Sequence, residues 1–192
     1  MPGRDYSQYG QQEVLVDYWK DRTGLLVDVG AWDGIFLSNS RELILRGWDA
    51  ILIEPDPNVL PKLICNTFLT RTAGNVCILP LACANVSGYC TMNISPVGTT
   101  SSFGQIDEET TPHMVMLRTL GELFPKKFDL LLVDAEGSDL HVLKGVNWEL
   151  NDPEMVMVEV NYVGKEKMNE YMESVGYKLY RELYIDNIYV RR

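Results

Sequence analysis

The sequence has few basic residues, few histidines and no long apolar run. Lysine and arginine contribute 17 of the 192 residues, whereas aspartate and glutamate contribute 27, so the formal net charge is -10. Because such a surface repels phosphate backbones, we expect no bulk nucleic-acid partner. No stretch approaches the about 18 consecutive apolar residues that a membrane span needs, and the first residues lack a signal-peptide core. We therefore expect a soluble, cytoplasmic protein.

Cysteine and histidine are also too sparse for the usual metal-binding patterns. The four cysteines have no C-x-x-C spacing, and only two histidines accompany them, which makes a structural zinc site improbable. Cys77 and Cys83 fall in an apolar region and are predicted to be small buried hydrophobic residues. The absence of a disulfide pattern agrees with a reducing compartment.

Alternating apolar strands and amphipathic helices predict one α/β domain over 1–192. The N-terminal segment and a first helix occupy 1–24, and Asp186 with Asn187 is a turn signal between two final strands. Such a sheet is mostly parallel, has helices on both faces and ends in an antiparallel hairpin. The predicted strands are 25–29, 50–54, 75–80, 128–134, 155–160, 177–183 and 187–191, and the predicted helices are 11–20, 38–46, 57–70, 138–144 and 165–175.

The pattern loosens over 85–116, where glycine, proline, serine and threonine are followed by the acidic run 107–109. A connection of this length inside a compact domain is usually functional or mobile. We predict that it forms an acceptor-side loop or lid, with 97–114 as its central part. A solvated hairpin and loop is the alternative.

Three predicted strands each end in an acid, at Asp28, Glu54 and Asp134. Ligands of open α/β sheets bind beyond the carboxyl ends of the strands, so these acids should face one cleft. Glu54 comes roughly 20 residues after the first glycine turn. At this separation along the chain, an acid at the end of the second strand accepts hydrogen bonds from ribose hydroxyls. The predicted cofactor site therefore comprises Asp28, Gly30, Ala31, Asp33, Gly34, Glu54, Pro55 and Asp134.

The loop after the first strand favours S-adenosylmethionine over NAD. A dinucleotide site requires G-x-G-x-x-G and a helix N-terminus for the pyrophosphate, whereas this chain has G-A-W-D-G at 30–34. Asp33 would repel a pyrophosphate, while Asp28 and Asp33 suit an ammonium group and a sulfonium. Ala82 and Cys83, after the third strand, are the expected neighbours of an adenine ring.

Taken together, these segments resemble the FkbM family of S-adenosylmethionine-dependent methyltransferases, a branch of the Rossmann-like class I enzymes. The resemblance implies a seven-stranded sheet with a C-terminal antiparallel hairpin, and methyl transfer to a hydroxyl oxygen of a sugar, a glycan or a small natural product. It also implies a role for Ser38 at the methionine or acceptor end. Asp139 departs from the pattern, since the family commonly has glutamate there. The matching segments are SQYGQQE at 7–13, VDVGAWDG at 27–34, SN at 38–39, GWDAILIEP at 47–55, TTSS at 99–102, RTL at 118–120, DAEGSD at 134–139 and VLKG at 142–145.

A hydroxyl acceptor needs a group that removes its proton, and acids at the ends of the fourth and fifth strands are the candidates. Glu136 is our first choice, ahead of Asp134 and Glu159, although Glu136 could instead only cap the following helix. Asp134, Glu159 and Asn161 could alternatively hold a divalent cation. His113 is a more remote base candidate, and His141 is expected to pack on a helix or face solvent.

Other functions stay open at this point. The same fold could serve as a non-catalytic interaction module, or Glu54 could belong to an NAD-dependent oxidoreductase. RNA methylation is the least favoured enzymatic variant because the chain lacks a basic surface. The tyrosines of the C-terminal third fit internal packing, a sugar-stacking wall or a homodimer interface equally well.

Overall fold

The computed structural model of the chain describes residues 4–68, 74–94 and 110–192, which form seven helices and ten strands. In chain order these elements are α1 (Gln11–Trp19), β1 (Leu25–Val29), α2 (Arg41–Leu45), β2 (Asp49–Ile53), α3 (Leu60–Phe68), β3 (Val76–Leu79), β4 (Ala82–Cys83), β5 (Gly88–Ile94), β6 (Thr111–Arg118), α4 (Leu120–Leu123), β7 (Leu130–Val133), α5 (Asp139–Lys144), α6 (Trp148–Asn151), β8 (Met155–Glu159), α7 (Lys165–Ser174), β9 (Tyr177–Glu182) and β10 (Asp186–Arg191).

Seven strands form the main sheet, in the order β3-β2-β1-β7-β8-β10-β9. The first five are parallel, and β10 runs antiparallel to both β8 and β9. The predicted fold is confirmed, including the C-terminal antiparallel hairpin. The chain runs outward from β1 to β3 and then returns to place β7 on the other side of β1, so the strand order reverses between β1 and β7. This reversal is where open α/β sheets bind ligands.

The central strands are buried on both faces because helices cover the sheet on each side. In β7 and β8, alternate residues belong to two separate apolar clusters, as the period of two of a strand requires. Leu131 and Val156 pack with Met168 of α7 on one face. Leu130 and Met155 pack with residues such as Leu15 of α1 on the other. These packed layers fix the carboxyl ends of the strands that carry the acids.

A second, three-stranded sheet with the order β4-β6-β5 is a feature that the sequence analysis missed. β5 and β6 pair antiparallel from Gly88 opposite Leu117 to Ile94 opposite Thr111. Much of the segment 85–116, which was expected to be a loop or lid with a hairpin as the alternative, therefore lies in two paired strands. Residues 95–109, with most of the predicted lid and the TTSS motif, lie outside the described residues, so the lid stays a prediction.

Two local predictions were wrong. Asp186 and Asn187 are not in the turn between the last strands but are the first, buried residues of β10, and the turn lies at 183–185. Their polar side chains are tolerated inside because Gln11 donates to Asp186 and Asn187 donates to the hydroxyl of Tyr189. Cys77 is exposed rather than buried, because β3 is an edge strand; Cys83 is buried as predicted.

None of the helices in the described parts of the chain is both long and apolar enough to cross a membrane.

Candidate active site

A cavity of about 270 Å³ opens at the carboxyl edge of the main sheet, beside the point where the strand order reverses. Its walls come from the ends of β1, β2, β4 and β7 and from the loop that follows β1. The cavity brings together most of the predicted site residues: Asp28, Gly30, Ala31, Ser38, Glu54, Pro55, Ala82, Cys83, Asp134 and Glu136. Asp33, Gly34 and Glu159 do not line it.

The loop after β1 is joined to the neighbouring strands through its backbone. The amides of Gly30 and Ala31 both donate to the carbonyl oxygen of Ile53, at 2.9 and 3.1 Å. Gly30 has a φ of +88°, and a Cβ at this position would overlap the carbonyl oxygen of Asp134. Glycine is therefore required here both for its backbone conformation and for the close approach of β7.

Glu54 lies between this loop and the end of β2 and exposes only 6 % of its surface. Its Oε2 accepts from the amide of Trp32 at 3.0 Å, and its Oε1 accepts from the amide of Asp56 at 2.8 Å. Burial raises the pKa of Glu54 to about 7, although these two amides act in the opposite direction. Each carboxylate oxygen can accept more than one hydrogen bond, so the group can still receive a pair of ligand hydroxyls.

Asp28 and Ser38 belong to a buried polar network in the wall of the same cavity. Burial raises the pKa of Asp28 to about 6, and a hydrogen bond with the Ser40 side chain opposes the shift. The hydroxyls of Ser38 and Ser40 lie 3.3 Å apart, and Ser38 also accepts from the amide of Arg41 at the start of α2. Ser38 thus supports the cavity wall as well as lining it.

The small sheet supplies an apolar end to the cavity. Ala82 and Cys83 of β4 line it together with Leu81 and Met92. Burial raises the pKa of the Cys83 thiol to about 12, so at neutral pH the thiol is protonated and acts as apolar surface. This end can accept a planar, weakly polar ring.

The predicted ligand roles of Asp33 and Gly34 are not supported by their positions. The Oδ1 of Asp33 accepts from the amides of Ile35 and Phe36, both at 2.8 Å, so this carboxylate stabilises its own turn. Gly34 has a φ of +72° and lies against Leu63 of α3. Neither residue lines the cavity, although the chain reaches the cavity again at Phe36.

An acidic wall follows β7, where Asp134 and Glu136 line the cavity. The Tyr162 hydroxyl donates to Glu136 Oε2 at 3.0 Å, and Glu136 itself has a φ of +48°. The buried Asp139 accepts from the amides of Ala135 and Gly137 at 2.8 and 3.1 Å. The carboxylate that holds this loop is thus Asp139, which leaves Glu136 directed to the cavity.

Glu159 lies behind this wall, at the end of the strand next to β7. It exposes 7 % of its surface, and burial, together with the charges of Asp139 and Glu136, raises its pKa to about 7. Burial and the nearby Glu159 likewise raise the pKa of Asp134 well above its ordinary value, although its side chain reaches solvent through the cavity. Asn161 donates its side-chain amide to Glu159. Among the described residues, no group of three or more acids, histidines or cysteines is arranged to hold a metal ion.

The apolar rim of the cavity was missed by the sequence analysis. Trp32, Phe36 and Leu37 line it, and the rings of Trp32 and Phe36 lie 5.2 Å apart. Trp32 and Leu37 both have positive φ values, a conformation that costs energy for residues other than glycine and is concentrated at functional sites. The apolar residues just after the glycine turn were the available signal.

His113 on β6 and His141 on α5 are exposed and do not line the cavity.

Comparisons with known proteins agree with this geometry. The family model described as "Methyltransferase FkbM domain" matches residues 28–179. Among solved structures, the chain is similar to methyltransferase FkbM from Methylobacillus flagellatus KT, with a TM-score of 0.61 and 16 % identity over 88 % of this chain and 43 % of that one. It spans less than half the length of that protein.

Two further solved structures share the fold. The ribosomal protein L11 methylase from Lactobacillus delbrueckii subsp. bulgaricus has a TM-score of 0.60 and 11 % identity, over 95 % of this chain and 77 % of that one. The magnesium protoporphyrin IX methyltransferase from Synechocystis PCC 6803, solved with bound SAM, has a TM-score of 0.57 and 11 % identity, over 94 % of this chain and 76 % of that one. No curated protein matches the chain significantly.

Proposed function

The chain belongs to the FkbM methyltransferase family, and we propose that it transfers a methyl group from S-adenosylmethionine to a hydroxyl oxygen of a sugar, a glycan or a small natural product. The observation that carries this proposal is the position of Glu54. It is a buried acid at the end of β2, it faces the cavity, and it is held by the loop that follows β1. An acid at this place in the fold suits a ribose diol.

The chemistry of the cavity fits the proposed cofactor. Glu54 would accept from the ribose hydroxyls, and Ala82 with Cys83 would contact the adenine at the apolar end. Asp28 and Asp134 would face the ammonium and sulfonium groups, and Gly30, Ala31, Ser38 and Pro55 would complete the walls. When bound, S-adenosylmethionine supplies an electrophilic methyl group on its sulfonium.

The residues of this chain would act mainly by positioning, because methyl transfer is an in-line displacement. Glu136 would receive the proton of the acceptor hydroxyl on its carboxylate. Its orientation supports this role, since Tyr162 donates to only one of its oxygens and Asp139 holds the surrounding backbone. Asp134 would orient the cofactor. Glu159 does not line the cavity, so it would affect the reaction by raising the pKa of Asp134 rather than by contacting the acceptor.

Two other functions remain to be tested against this one. An NAD-dependent enzyme would also use Glu54, but Asp134, Glu136 and Asp28 line the same cavity and would repel a pyrophosphate. A non-catalytic module would not need a cavity lined by Glu54, Asp28 and the glycine turn together. A homodimer stays a proposal that neither the fold nor the cavity requires.

Calorimetric titration with S-adenosylhomocysteine and, separately, with NAD tests the proposal. We expect binding of S-adenosylhomocysteine alone, weakened about 30-fold in Glu54→Gln, since loss of a charged acceptor of hydrogen bonds costs about 2 kcal/mol. Glu13→Gln, the same change at an exposed position of α1, should bind as the unmodified protein does. Binding of NAD, or equal affinity in Glu54→Gln, would contradict the assignment. Transfer of a labelled methyl group to hydroxylated acceptors then tests the reaction itself.

A further inference from the structure

The main sheet ends in two edge strands, β3 and β9, which differ in their charge. β9 carries Lys178, Arg181 and Glu182. The ammonium group of Lys165 forms an ion pair with Glu182. Charged side chains on an edge strand oppose its pairing with another chain. β3 has the sequence VCIL and carries no charged residue, so this edge lacks that protection.

The backbone of β3 has one side free to pair. The carbonyl oxygens of Asn75 and Leu79 accept from amides of β2, and the strand register places Cys77 between them. Because successive residues of a strand direct their N–H and C=O groups to opposite sides, those of Val76 and Ile78 point away from β2. Among the described residues, no strand pairs with that side. This edge therefore offers backbone donors and acceptors to one further strand.

The helix beside this edge also presents apolar residues to solvent. On α3, Asn66 donates to the carbonyl oxygen of Asp33 and accepts from Arg41 of α2, so this side of the helix faces the middle of the sheet. Ile64 and Phe68 lie two residues to either side of Asn66, which puts them on the opposite side of the helix. They expose 52 % and 86 % of their surface. The side of α3 that faces away from α2 is therefore apolar and uncovered by the described residues.

The same part of the chain lacks acids. None of the 27 aspartate and glutamate residues falls within 57–106, a range that includes α3 and β3, although the net charge of the chain is -10. Two copies of such an acidic chain repel each other, and this repulsion is weakest where acids are absent. One acid that does reach this edge, Asp49, accepts from the amide of Asn75. The charge pattern thus favours this face for contact between two copies.

We propose that the face formed by β3 and α3 joins two copies of this chain into a twofold dimer, in which the two β3 strands pair antiparallel with Cys77 at the centre. Val76 exchanges its two backbone hydrogen bonds with Ile78 of the partner subunit. The twofold axis of such a pair is perpendicular to the sheet, so the two α3 helices lie side by side on one face of a continuous sheet. Ile64 and Phe68 are covered there, which a single extended peptide on the edge would not achieve.

This interface is separate from the tyrosine-rich C-terminal third and does not depend on the proposed methyl transfer. Because the other edge of the sheet, β9, carries charges, pairing of the sheets stops at two copies.

Light scattering and sedimentation of the full chain test the dimer. We expect twice the mass of one chain at about 100 µM and dissociation on dilution. Cys77→Lys and Ile64→Lys should each raise the dissociation constant of the dimer about tenfold or more, since each places a charge at the apolar interface. The matched control is Leu179→Lys, the introduction of the same charge at an exposed position of β9, which should leave the constant unchanged. Melting temperatures show that each variant is folded.

Oxidation tests the register of the paired strands. Residues opposite each other in a non-hydrogen-bonded antiparallel pair have Cα atoms about 4.5 Å apart, which is within the range that a disulfide spans. Cys65→Ser removes the other exposed cysteine. In this variant, mild oxidation with diamide should link two copies through Cys77, and the added change Cys77→Ser should abolish the link.

Three results would overturn the proposal. The first is a protein that is monomeric at about 100 µM, which would leave the edge to a strand of a different protein. The second is a dimer that Leu179→Lys dissociates while Cys77→Lys and Ile64→Lys do not. The third is a dimer that gives no link through Cys77. Because none of these measurements uses S-adenosylmethionine, failure of the dimer is distinguished from failure of the proposed function.

Discussion

Gly30 is the residue at which the ends of three strands meet. It follows β1, its amide donates to Ile53 of β2, and its Cα faces the carbonyl oxygen of Asp134 after β7. No larger residue fits, because its φ is positive and its missing side chain is the space that Asp134 occupies. The backbone contacts of Gly30 therefore help to set the loop that lines the cavity, together with the Glu54 carboxylate that accepts from Trp32.

Gly30→Ala should lower the free energy of unfolding by roughly 3 kcal/mol, since backbone strain and overlap with Asp134 both act. The matched control is Gly10→Ala. Gly10 also has a positive φ, but a Cβ there would meet no atom within 4 Å, so the loss should be only about 1 kcal/mol. Urea denaturation of both variants gives the comparison, and equal losses would show that the contact with Asp134 is unimportant.

At the scale of elements, the loop between β7 and α5 forms the acidic wall of the cavity. Ser138 precedes α5, but its side chain makes no capping hydrogen bond. Asp139 instead accepts two amides from within the loop, on either side of Glu136. The family commonly has glutamate at this position. The shorter aspartate side chain still reaches the amides of its own loop, so it stabilises the loop in the same place.

Asp139→Ala should lower the free energy of unfolding by about 2 kcal/mol, because two loop amides lose their acceptor. Ser138→Ala, one residue earlier and without a capping hydrogen bond to lose, should change it by less than about 0.5 kcal/mol. Urea denaturation at neutral pH measures both. A stable Asp139→Ala protein would mean that the loop keeps its conformation without this carboxylate.

The sequence was sufficient to predict the elements that repeat a simple pattern. Continuous apolar runs ending in acids predicted the parallel strands, and the placement of Asp28, Glu54 and Asp134 around one cavity followed from the topology. The small sheet was missed because β5 and β6 are separated by 95–109 and pair only through tertiary contacts. The orientation of Asp33 and the buried position of Asp186 depend on turn geometry and on a partner as distant as Gln11, which local sequence does not encode.

At the scale of the whole molecule, the buried acids Asp28, Glu54 and Glu159 lie at or next to the cavity. Burial raises the pKa of Asp28 to about 6 and those of Glu54 and Glu159 to about 7. Because the folded state holds these protons more tightly than the unfolded chain, their contribution to stability is complete below the ordinary carboxyl pKa and is lost as the pH rises to about 7. Glu154 does not oppose this trend, since Arg22 lowers its pKa and it stays ionised throughout.

The melting temperature should therefore fall as the pH rises from 5 to 8, as measured by differential scanning calorimetry. Glu54 alone should lower the free energy of unfolding by about 2.5 kcal/mol over this pH range, since its pKa rises from 4.5 to about 7. Glu54→Gln should show a shallower decline, whereas Glu13→Gln should follow the unmodified protein. A melting temperature that rises over this range would contradict the account of the buried acids.

The most direct test of the central claim is a crystal structure of the protein with S-adenosylhomocysteine. We expect the ribose hydroxyls within hydrogen-bond distance of Glu54, the adenine against Ala82 and Cys83, and the sulfur facing Asp134. A ligand bound elsewhere, or a ribose that contacts no part of Glu54, would contradict the assignment of this cavity as the site of methyl transfer.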